Sequence, residues 1–364
     1  MALSRTESQK VERWDQQYAH DYIAYHPFRP YFSQSGSNVV HLKRVGRGTA
    51  TVGWNKVDEL DSDDIENDAV LEGNEEAMRQ RRYTRDITLY KSGVRASEIE
   101  GDWNALELRQ VFREQLRRKA MKSNRRRFIN ALYSLDDVNF GSTTETQRDA
   151  WLTRNSDRVL FGADPTHTES DFDFSDSIVK LTNAADKMTQ DMSLIAKEYA
   201  QSAGITPIML NENMDEEHYV MFLPRRLMRD IKRATGTGDF QSAYQAVGER
   251  GNTNPVFTGA SFIKDGIIYR ELPGRDEDMY FPLGDNGIEV GAGFLCGEGA
   301  LAYGLQGSGI DIRTNEFDYG TQFGIANVAK ETVGKITYGT ASGTDAGTRK
   351  DFGVVTVWAA AIAS

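Results

Sequence analysis

The residues of this chain that could do chemistry are a pair of acids, a single thiol and scattered histidines. Asp171 and Asp173 flank Phe172 in an acidic stretch, and such a pair could hold Mg²⁺ or serve a hydrolase. Because the chain carries 54 acids, a pair of this kind is expected by chance, and no metal site is predicted. The histidines, which show no metal-ligand spacing, are His20, His26, His41, His167 and His218.

Cys296 is the only cysteine, which excludes an internal disulfide and any cysteine-based zinc site. It lies among small residues without a basic neighbour, so we expect a buried, unreactive side chain. Two GxG pairs, at 46–48 and 291–293, do not continue as GxGxxG. Neither a GxxxxGK[ST] phosphate loop nor a GxSxG elbow occurs. The sequence therefore predicts no catalytic, cofactor-binding or metal-binding residues.

Length and charge narrow the class of protein further. With 364 residues, the chain can bury a sizeable core in one large or two to three smaller domains. Its net charge of −11 is unlike that of a protein that grips DNA through a basic face. No apolar run approaches the roughly 20 residues of a membrane helix, and residues 1–14 lack the apolar core of a secretory signal. We expect a protein made in a reducing cytoplasm.

The stretch 218–236 is predicted to be a buried strand, a sharp turn and a basic helix. An apolar run at 219–223 is long enough for one strand, and Pro224 is favoured at the first turn of a helix. Leu227, Met228 and Ile231 recur at helical spacing before Gly236 provides a stop. No catalytic side chain lies at the turn, so this is a packing unit.

A long helix is predicted from about residue 103, capped by Asp102, to about residue 134. Its apolar stripe consists of Leu106, Leu108, Val111, Phe112, Leu116, Met121, Phe128, Ile129 and Leu132. The other face is strongly basic between residues 113 and 127, which could bind nucleic acid. The more ordinary interpretation is a solvated face, or one paired with acids elsewhere in the chain.

Weaker patterns lie between these elements. Residues 135–174 are predicted to be loop, and 175–203 to be one helix, because seven apolar residues follow steps of three and four. A short helix is expected at 239–247. The mixture of small and apolar residues at 291–309 suggests a closely packed helix.

Strands are predicted where apolar and polar residues alternate or where short apolar runs occur. The predicted strands lie within 38–57, 85–90, 205–210, 261–272, 325–338 and 352–360. The segment 261–272 should be a hairpin with Asp265 and Gly266 at its turn. The last strand is too apolar for a loose tail and should close a sheet in the core.

Between residues 58 and 85, an acidic block is followed directly by a basic one. Residues 58–76 carry ten acids and no Lys or Arg, and an arginine cluster follows at once. Strand patterns on both sides predict an extended hairpin that stands off the body, and opposite charge blocks suit contacts between copies. The alternative is a solvated loop. The predicted contact residues in this hairpin are Asp61, Asp63, Asp64, Arg79, Arg81 and Arg82.

Residues 1–37 are polar but rich in aromatic side chains, and prolines at 27 and 30 prevent a continued helix. We expect such a segment to dock either on the core of its own chain or on a neighbouring subunit. Trp14, Tyr18 and Tyr22 are the predicted contacts with a neighbour.

Five separated blocks resemble one known family when they are taken in order. They are LEGNEEAM at 71–78, the strand–Phe-Leu-Pro-Arg–helix block at 218–233, Leu295-Cys296-Gly297, Asp318-Tyr319-Gly320 and Asp351-Phe352-Gly353-Val354-Val355. From about residue 70 onward, the chain resembles the major capsid proteins of tailed bacteriophages, in the branch of lytic podoviruses with N4-type capsids.

The resemblance implies an α+β protein with the Hong Kong 97-like capsid fold. It implies an N-terminal arm (1–37), an extended loop (38–95), a peripheral domain with a long spine helix (96–204), an axial domain (205–335) and a return strand of the peripheral domain (336–364). The implied function is assembly as hexamers and pentamers into an icosahedral shell around double-stranded DNA, without catalysis, cofactor or membrane.

Implied partners are further copies of the chain, a portal protein and a separate scaffolding protein, with a decoration protein as a further candidate. The implied location is the virion capsid, after synthesis in the host bacterial cytoplasm. Two competing functions come from other classes. One is a DNA-binding protein that uses the basic helix 113–127, and the other is a hydrolase with an acidic site.

Overall fold

A computed structural model describes residues 28–57, 80–97, 108–182, 185–209, 217–234, 262–339 and 349–363. The helices are α1 (Leu108–Tyr133), α2 (Glu145–Asn155), α3 (Phe174–Val179), α4 (Gln190–Ser202) and α5 (Arg225–Ala234). The strands up to residue 161 are β1 (Phe32–Ser33), β2 (Val40–Val45), β3 (Thr51–Val57), β4 (Gln80–Asp86), β5 (Thr88–Ser97) and β6 (Val159–Phe161).

The later strands are β7 (Ile208–Met209), β8 (Glu217–Pro224), β9 (Phe262–Lys264), β10 (Ile267–Leu272), β11 (Tyr280–Pro282), β12 (Glu289–Cys296), β13 (Leu301–Phe317), β14 (Gln322–Lys335), β15 (Thr337–Tyr338), β16 (Lys350–Asp351) and β17 (Val354–Ala360). Sheet I has the order β1-β2-β13-β14-β5. Sheet II has the order β6-β17-β12-β8-β10-β9, with β11 on β12 and β7 on β8. Two ribbons, β3–β4 and β15–β16, complete the pairing of the described strands.

Helix α1 packs along sheet I. Its last turns are buried in the main hydrophobic core, which the strands of sheet II also line. Phe112 and Leu116 meet Phe323 of β14 near the start of the helix. Near its end, Phe128 packs against Tyr303 of β13 with ring centroids 5.1 Å apart. The predicted end of the helix is confirmed at Tyr133. The predicted start and its cap at Asp102 lie outside the described residues, as does the short helix predicted at 239–247.

The strand–turn–helix unit predicted at 218–236 is confirmed. Strand β8 is buried from His218 through Pro224, and α5 begins at the next residue. Its Leu227, Met228 and Ile231 are each at most 2% exposed. This apolar stripe covers sheet II, while the helix keeps its basic residues on the other side, as an amphipathic surface helix should.

The hairpin predicted at 261–272 is also confirmed. Strands β9 and β10 pair antiparallel, with Lys264 opposite Ile267. Asp265 and Gly266 lie between them with φ of 55° and 73°. Two consecutive residues with positive φ form the tight turn whose twist matches that of paired strands.

Residues 135–174 were predicted to be loop, and this is wrong. They contain α2 and β6. The backbone N–H of Thr144 donates to Gln147 Oε1 at 3.0 Å, which is half of a capping box. Thr144-x-x-Gln147 is a helix-start signal that is visible in the sequence, and Trp151 and Leu152 then give the helix a buried face.

The single helix predicted at 175–203 is wrong as well, because α3 ends at Val179 and α4 begins at Gln190. The buried carboxylate of Asp186 accepts hydrogen bonds from the backbone N–H groups of Ala163 (3.2 Å) and Thr182 (2.8 Å). These bonds lie between α3 and α4, where the described residues are not helical. Thr189 then starts α4 by accepting from the N–H of Met192 at 3.4 Å.

Residues 291–309 form strands β12 and β13, so the helix predicted there is wrong. Small residues occur here because neighbouring groups come close, which in sheets is met by glycine. A Cβ on Gly293 would lie 2.7 Å from Leu223 Cδ2, and a Cβ on Gly297 would lie 2.5 Å from the Thr206 carbonyl oxygen. Every position of β12 after Glu289 is buried, which hides the alternation typical of a strand.

Two strand groups pair across the predicted domain boundaries. Strands β13 and β14, predicted as axial, pair with β2 and β5 and pack on α1. Strand β17, predicted to return to the peripheral sheet, lies between β6 and β12 of sheet II. All seven residues of β17 are buried, and such a strand requires neighbours on both edges and cover on both faces.

Candidate intersubunit surface

The antiparallel pairing predicted around the charged excursion is present in the described residues, but its second strand is 80–86 rather than 85–90, and residues 88–90 pair with β14 instead. Strands β3 and β4 pair antiparallel from Thr51 opposite Asp86 to Val57 opposite Gln80. Residues 58–79, which connect them, lie outside the described residues. Asp61, Asp63, Asp64 and Arg79 therefore remain predicted contacts, as do Trp14, Tyr18 and Tyr22 of the N-terminal segment.

One face of the β3–β4 ribbon docks on the body of its own chain. Trp54 is wholly buried, and its Nε1 donates to the His41 carbonyl at 3.1 Å. Tyr83 lies directly across the ribbon and donates to Asp137 Oδ1 at 2.8 Å, where the Arg85 guanidinium also binds. Burial raises the pKa of Tyr83. A buried aromatic pair with satisfied polar atoms fixes the ribbon firmly at its root.

Gly304 of β13 allows this close approach. A Cβ at that position would lie 2.8 Å from Thr332 Cγ2, 3.0 Å from Val52 Cγ2 and 3.3 Å from Trp54 Cη2. Distances this short oblige the ribbon or the strand to move, because the interior is close-packed.

We expect Gly304→Ala to lower the free energy of unfolding by about 1–3 kcal/mol, the usual cost of overpacking. Gly46→Ala is the matched control, since its Cβ would meet nothing within 4 Å. Urea denaturation of the two variants beside the parent chain measures the difference. Equal stability of the two variants would contradict the tight docking of the ribbon.

Arg81 and Arg82, the two predicted contacts that the structure describes, lie on opposite faces of the ribbon. Arg81 is opposite Lys56 on the body-facing side, where Lys56 Nζ lies 3.8 Å from the centre of the Phe352 ring. Arg82 is exposed and covers Gly53. The strand alternation therefore divides the arginine cluster into an inward and an outward part.

The N-terminal arm was predicted to be residues 1–37, of which 28–37 are described. Phe28 and Tyr31 are buried in the chain's own core, and Phe28 stacks on Phe128 at 5.1 Å. Tyr31 meets Phe222 edge-on at 5.5 Å. For this end of the segment, docking on its own core is the correct alternative, because these rings fill the space between α1 and sheet II.

A second hairpin, β13–β14, ends in an exposed aromatic tip that the sequence reasoning missed. Phe317 is 37% exposed and Tyr319 is fully exposed. Asp318 and Tyr319 turn the chain with φ of 51° and 53°. The Asp-Tyr-Gly turn could have indicated this hairpin, but the long run of small residues before it was interpreted as a helix.

The basic face of α1 is in part paired with acids of the same chain. Arg126 donates to Asp278 Oδ1 at 2.6 Å, and Arg127 binds the buried Glu331. Arg127 also lies over the ring of Tyr90 at 3.5 Å. These contacts favour the ordinary interpretation of the basic helix over a nucleic-acid surface.

The candidate chemical residues have structural roles. Asp173 caps α3 by accepting from the N–H of Asp176 at 3.0 Å, and Asp171 Oδ1 accepts from the N–H of Asp173 at 3.3 Å. His167 Nδ1 lies 3.1 Å from the Phe161 carbonyl oxygen. Cys296 is a buried free thiol, as predicted, and burial raises its pKa.

In the described part of the chain, His, Cys, Asp and Glu side chains form no group of three or more that could hold a metal ion. None of the described helices combines the length and apolar character that crossing a bilayer requires.

A family model described as phage capsid protein matches residues 2–363, almost the whole chain. The chain belongs to the phage capsid protein family. It is a major capsid protein, a structural protein that builds the shell of a tailed bacteriophage, and the DNA-binding and hydrolase alternatives find no support. No curated protein matches its sequence significantly.

Solved capsid structures share the fold. The capsid protein is similar to that of the capsid asymmetric unit of cyanophage Pam1, with a TM-score of 0.78 and 20% identity over 100% of both chains. The capsid of Ralstonia phage GP4 has a TM-score of 0.72 and 17% identity over 92% of this chain and 90% of that one. The capsid of Helicobacter pylori bacteriophage KHP30 has a TM-score of 0.61 and 12% identity over 92% and 91%. The expected α+β, Hong Kong 97-like capsid fold is confirmed.

Proposed function

We propose that this capsid protein assembles as hexamers and pentamers into an icosahedral shell that encloses double-stranded DNA without sequence-specific binding. The observation that carries the proposal is the β3–β4 ribbon. It is anchored on its own body by one face, and the chain between its strands has ten acids followed by an arginine cluster. Heterologous contacts of this kind, repeated around a closed symmetry, build shells from one chain.

A function in shell assembly also implies the absence of catalysis, the place of synthesis and the partner proteins of the proposal. The protein performs no catalysis, is made in the host bacterial cytoplasm, and works with a portal protein and a separate scaffolding protein, with a decoration protein as a further partner. Its net charge of −11 keeps the protein from adhering to packaged DNA, since adhesion depends on cations that neutralise phosphates.

For the domains, we propose an arm at 1–37 whose contacts with neighbours lie before residue 28, and a loop at 38–95. The long helix α1 is the spine of the peripheral domain. The pairing of β13 and β14 with β2 and β5 supports their grouping with the spine, and the position of β17 supports its grouping with the axial strands of sheet II. The exposed tip at 317–319 is a further contact with neighbours.

Electron microscopy and size-exclusion chromatography of the purified chain test this function. We expect shells, sheets, or rings of hexamer and pentamer size, because each subunit has several weak contacts that act together. A compact monomer with a radius of gyration of roughly 21 Å at all concentrations would contradict the proposal. A steep loss of DNA affinity with salt would favour the DNA-binding alternative instead.

A further inference from the structure

A lysine and an aspartate face each other in the interior of the protein. Lys335, at the end of β14, is 2% exposed, and Asp351, in β16, is 1% exposed, with Nζ 2.5 Å from Oδ2. An amine and a carboxyl group at contact distance are the two reactants of an amide bond. The other oxygen of Asp351, Oδ1, is buried without a hydrogen-bond partner among the described residues. A carboxylate with a buried, unpaired oxygen is costly to keep charged.

The backbone on both sides of this pair is fixed. The N–H of Asp351 donates to Asn155 Oδ1 at 2.8 Å, and the carbonyl of Asp351 accepts from Arg158. On the other side, the N–H of the residue after Lys335 donates to the Ala300 carbonyl at 3.0 Å. Two groups held in contact react as if each were present at very high concentration, because folding has already removed the entropy of bringing them together.

Trp151 of α2 lies against both members of the pair. Its indole N–H donates to Asp351 Oδ2 at 3.2 Å, and its ring centre lies 5.4 Å from Lys335 Nζ. Trp151 is itself 1% exposed. A donor on Oδ2 stabilises the negative charge that develops on this oxygen when a nucleophile attacks the carboxyl carbon.

The carboxyl group of Asp136 responds to the charges of both Lys335 and Asp351. Asp136 lies in the turn that follows α1 and pairs with Arg154 through Oδ2, while its Oδ1 is buried without a hydrogen-bond partner in the described part of the chain. Partial burial raises the pKa of Asp136, Arg154 opposes this, and the Asp351 carboxylate adds to it, so that the pKa is raised overall. Asp136 therefore holds a proton more readily than an exposed aspartate does.

We propose that Lys335 and Asp351 of one chain condense into an isopeptide bond, with Asp136 as the group that exchanges protons with them. Transfer of one proton from Nζ to the carboxylate gives an amine and a carboxylic acid. Nζ then attacks Cγ, and Asp136 gives its proton to the departing hydroxyl and takes one from the nitrogen. One Nζ–Cγ bond forms, one Cγ–O bond breaks and one water leaves, without an oxidant, a reductant or a further reactant.

Burial favours the amide over the ion pair. Two charges removed from water lose hydration free energy that their mutual attraction often fails to restore, whereas an amide is neutral. The bond would join the end of β14 in sheet I to the segment that leads into β17 in sheet II. It forms once in each chain and has no turnover, so it is compatible with a protein that performs no catalysis.

Mass spectrometry of the intact full-length chain tests the proposal. We expect the folded protein, denatured for the measurement, to be lighter than its sequence by the mass of one water. Trypsin should fail to cut after Lys335 and should release a branched peptide that joins 331–349 to 351–364. Chain recovered unfolded from inclusion bodies should have the full mass and should lose one water after refolding.

Lys335→Met should have the full mass. This variant also identifies other dehydrations, because a succinimide at an aspartate loses the same water without the lysine.

Asp136→Asn retains the reacting pair and suits the turn, since Asn accepts the positive φ of 47° at this position. It should slow the loss of water after refolding by about a hundredfold, as expected when a group that transfers protons is removed. Asp137→Asn is the matched control. The next residue of the same turn has φ of 69°, and its carboxylate binds Tyr83 and Arg85. This control should leave the rate unchanged.

A folded parent chain of full mass that trypsin cuts after Lys335 would overturn the proposal and leave only an ion pair. A loss of water that persists in Lys335→Met would also overturn it, because the water would then come from another site. Equal rates in Asp136→Asn and Asp137→Asn would overturn the role of Asp136. These readouts do not depend on assembly, so the isopeptide bond and the shell function can fail separately.

Discussion

Asp351→Ala is expected to lower the free energy of unfolding by about 3–5 kcal/mol, the cost of leaving one partner of a buried ion pair alone. The side chains of Lys335 and Asp351 are 2% and 1% exposed, and Nζ lies 2.5 Å from Oδ2. The Trp151 indole N–H donates to the same oxygen at 3.2 Å. Alanine therefore leaves a buried ammonium without its counter-charge and an indole N–H without its acceptor.

Chemical denaturation of dissociated subunits measures this loss. Glu277→Ala, at an exposed acid, is the control and should change the free energy by at most about 0.5 kcal/mol. The double variant Lys335→Met with Asp351→Leu should lose less than Asp351→Ala alone, because no buried charge remains. A loss below about 1 kcal/mol at neutral pH would show that the pair contributes little.

Glu331→Ala is the second substitution with a large expected effect, again about 3–5 kcal/mol. Glu331 of β14 has no exposed surface and joins helix α1 to sheet I. Its Oε2 accepts from Asn124 Nδ2 and from the Tyr303 hydroxyl, each at 2.8 Å, and its Oε1 binds Arg127. Alanine would leave three polar groups of α1 and β13 without this acceptor, and two of them, on Asn124 and Tyr303, are buried.

Two further variants make the Glu331 prediction specific. Glu331→Gln keeps an acceptor for Asn124 and Tyr303 but loses the charge that faces Arg127, so its loss should be intermediate. Glu316→Ala, at an exposed position of β13, should leave the free energy of unfolding nearly unchanged. Thermal or urea unfolding measures the order of stability of the three variants. If Glu331→Ala proved no worse than Glu316→Ala, the network would not hold the helix on the sheet.

Local signals predicted several elements of the fold from the sequence alone. The Pro-Arg junction at 224–225 separates a strand from a helix, and Asp265-Gly266 forms a hairpin turn, because both depend on backbone preferences of adjacent residues. The alternation on both sides of the acidic block predicted a hairpin there, although its second strand is 80–86 and not 85–90. Five motif blocks in order were specific enough to predict the family.

The spacing of apolar residues led to two wrong helix predictions. Residues 178–199 follow helical steps, yet the carboxylate of Asp186 binds backbone N–H groups around it and divides the segment. The glycines of 291–309 meet Leu223 and Thr206, which are close in space and far apart in sequence. Periodicity cannot separate a fully buried strand from a buried helix, since both are apolar at nearly every position.

The candidate contact surface shows the same division. The sequence alone determined that acids at 58–76 precede an arginine cluster, and so that opposite charges can meet between copies. Only the tertiary structure decided that Arg81 points inward beside Lys56 while Arg82 points outward, and that Arg158 and Lys350 join the inward pair. Charge is a property of each residue type, whereas the grouping of these cations depends on pairing between segments 25 to more than 250 residues apart.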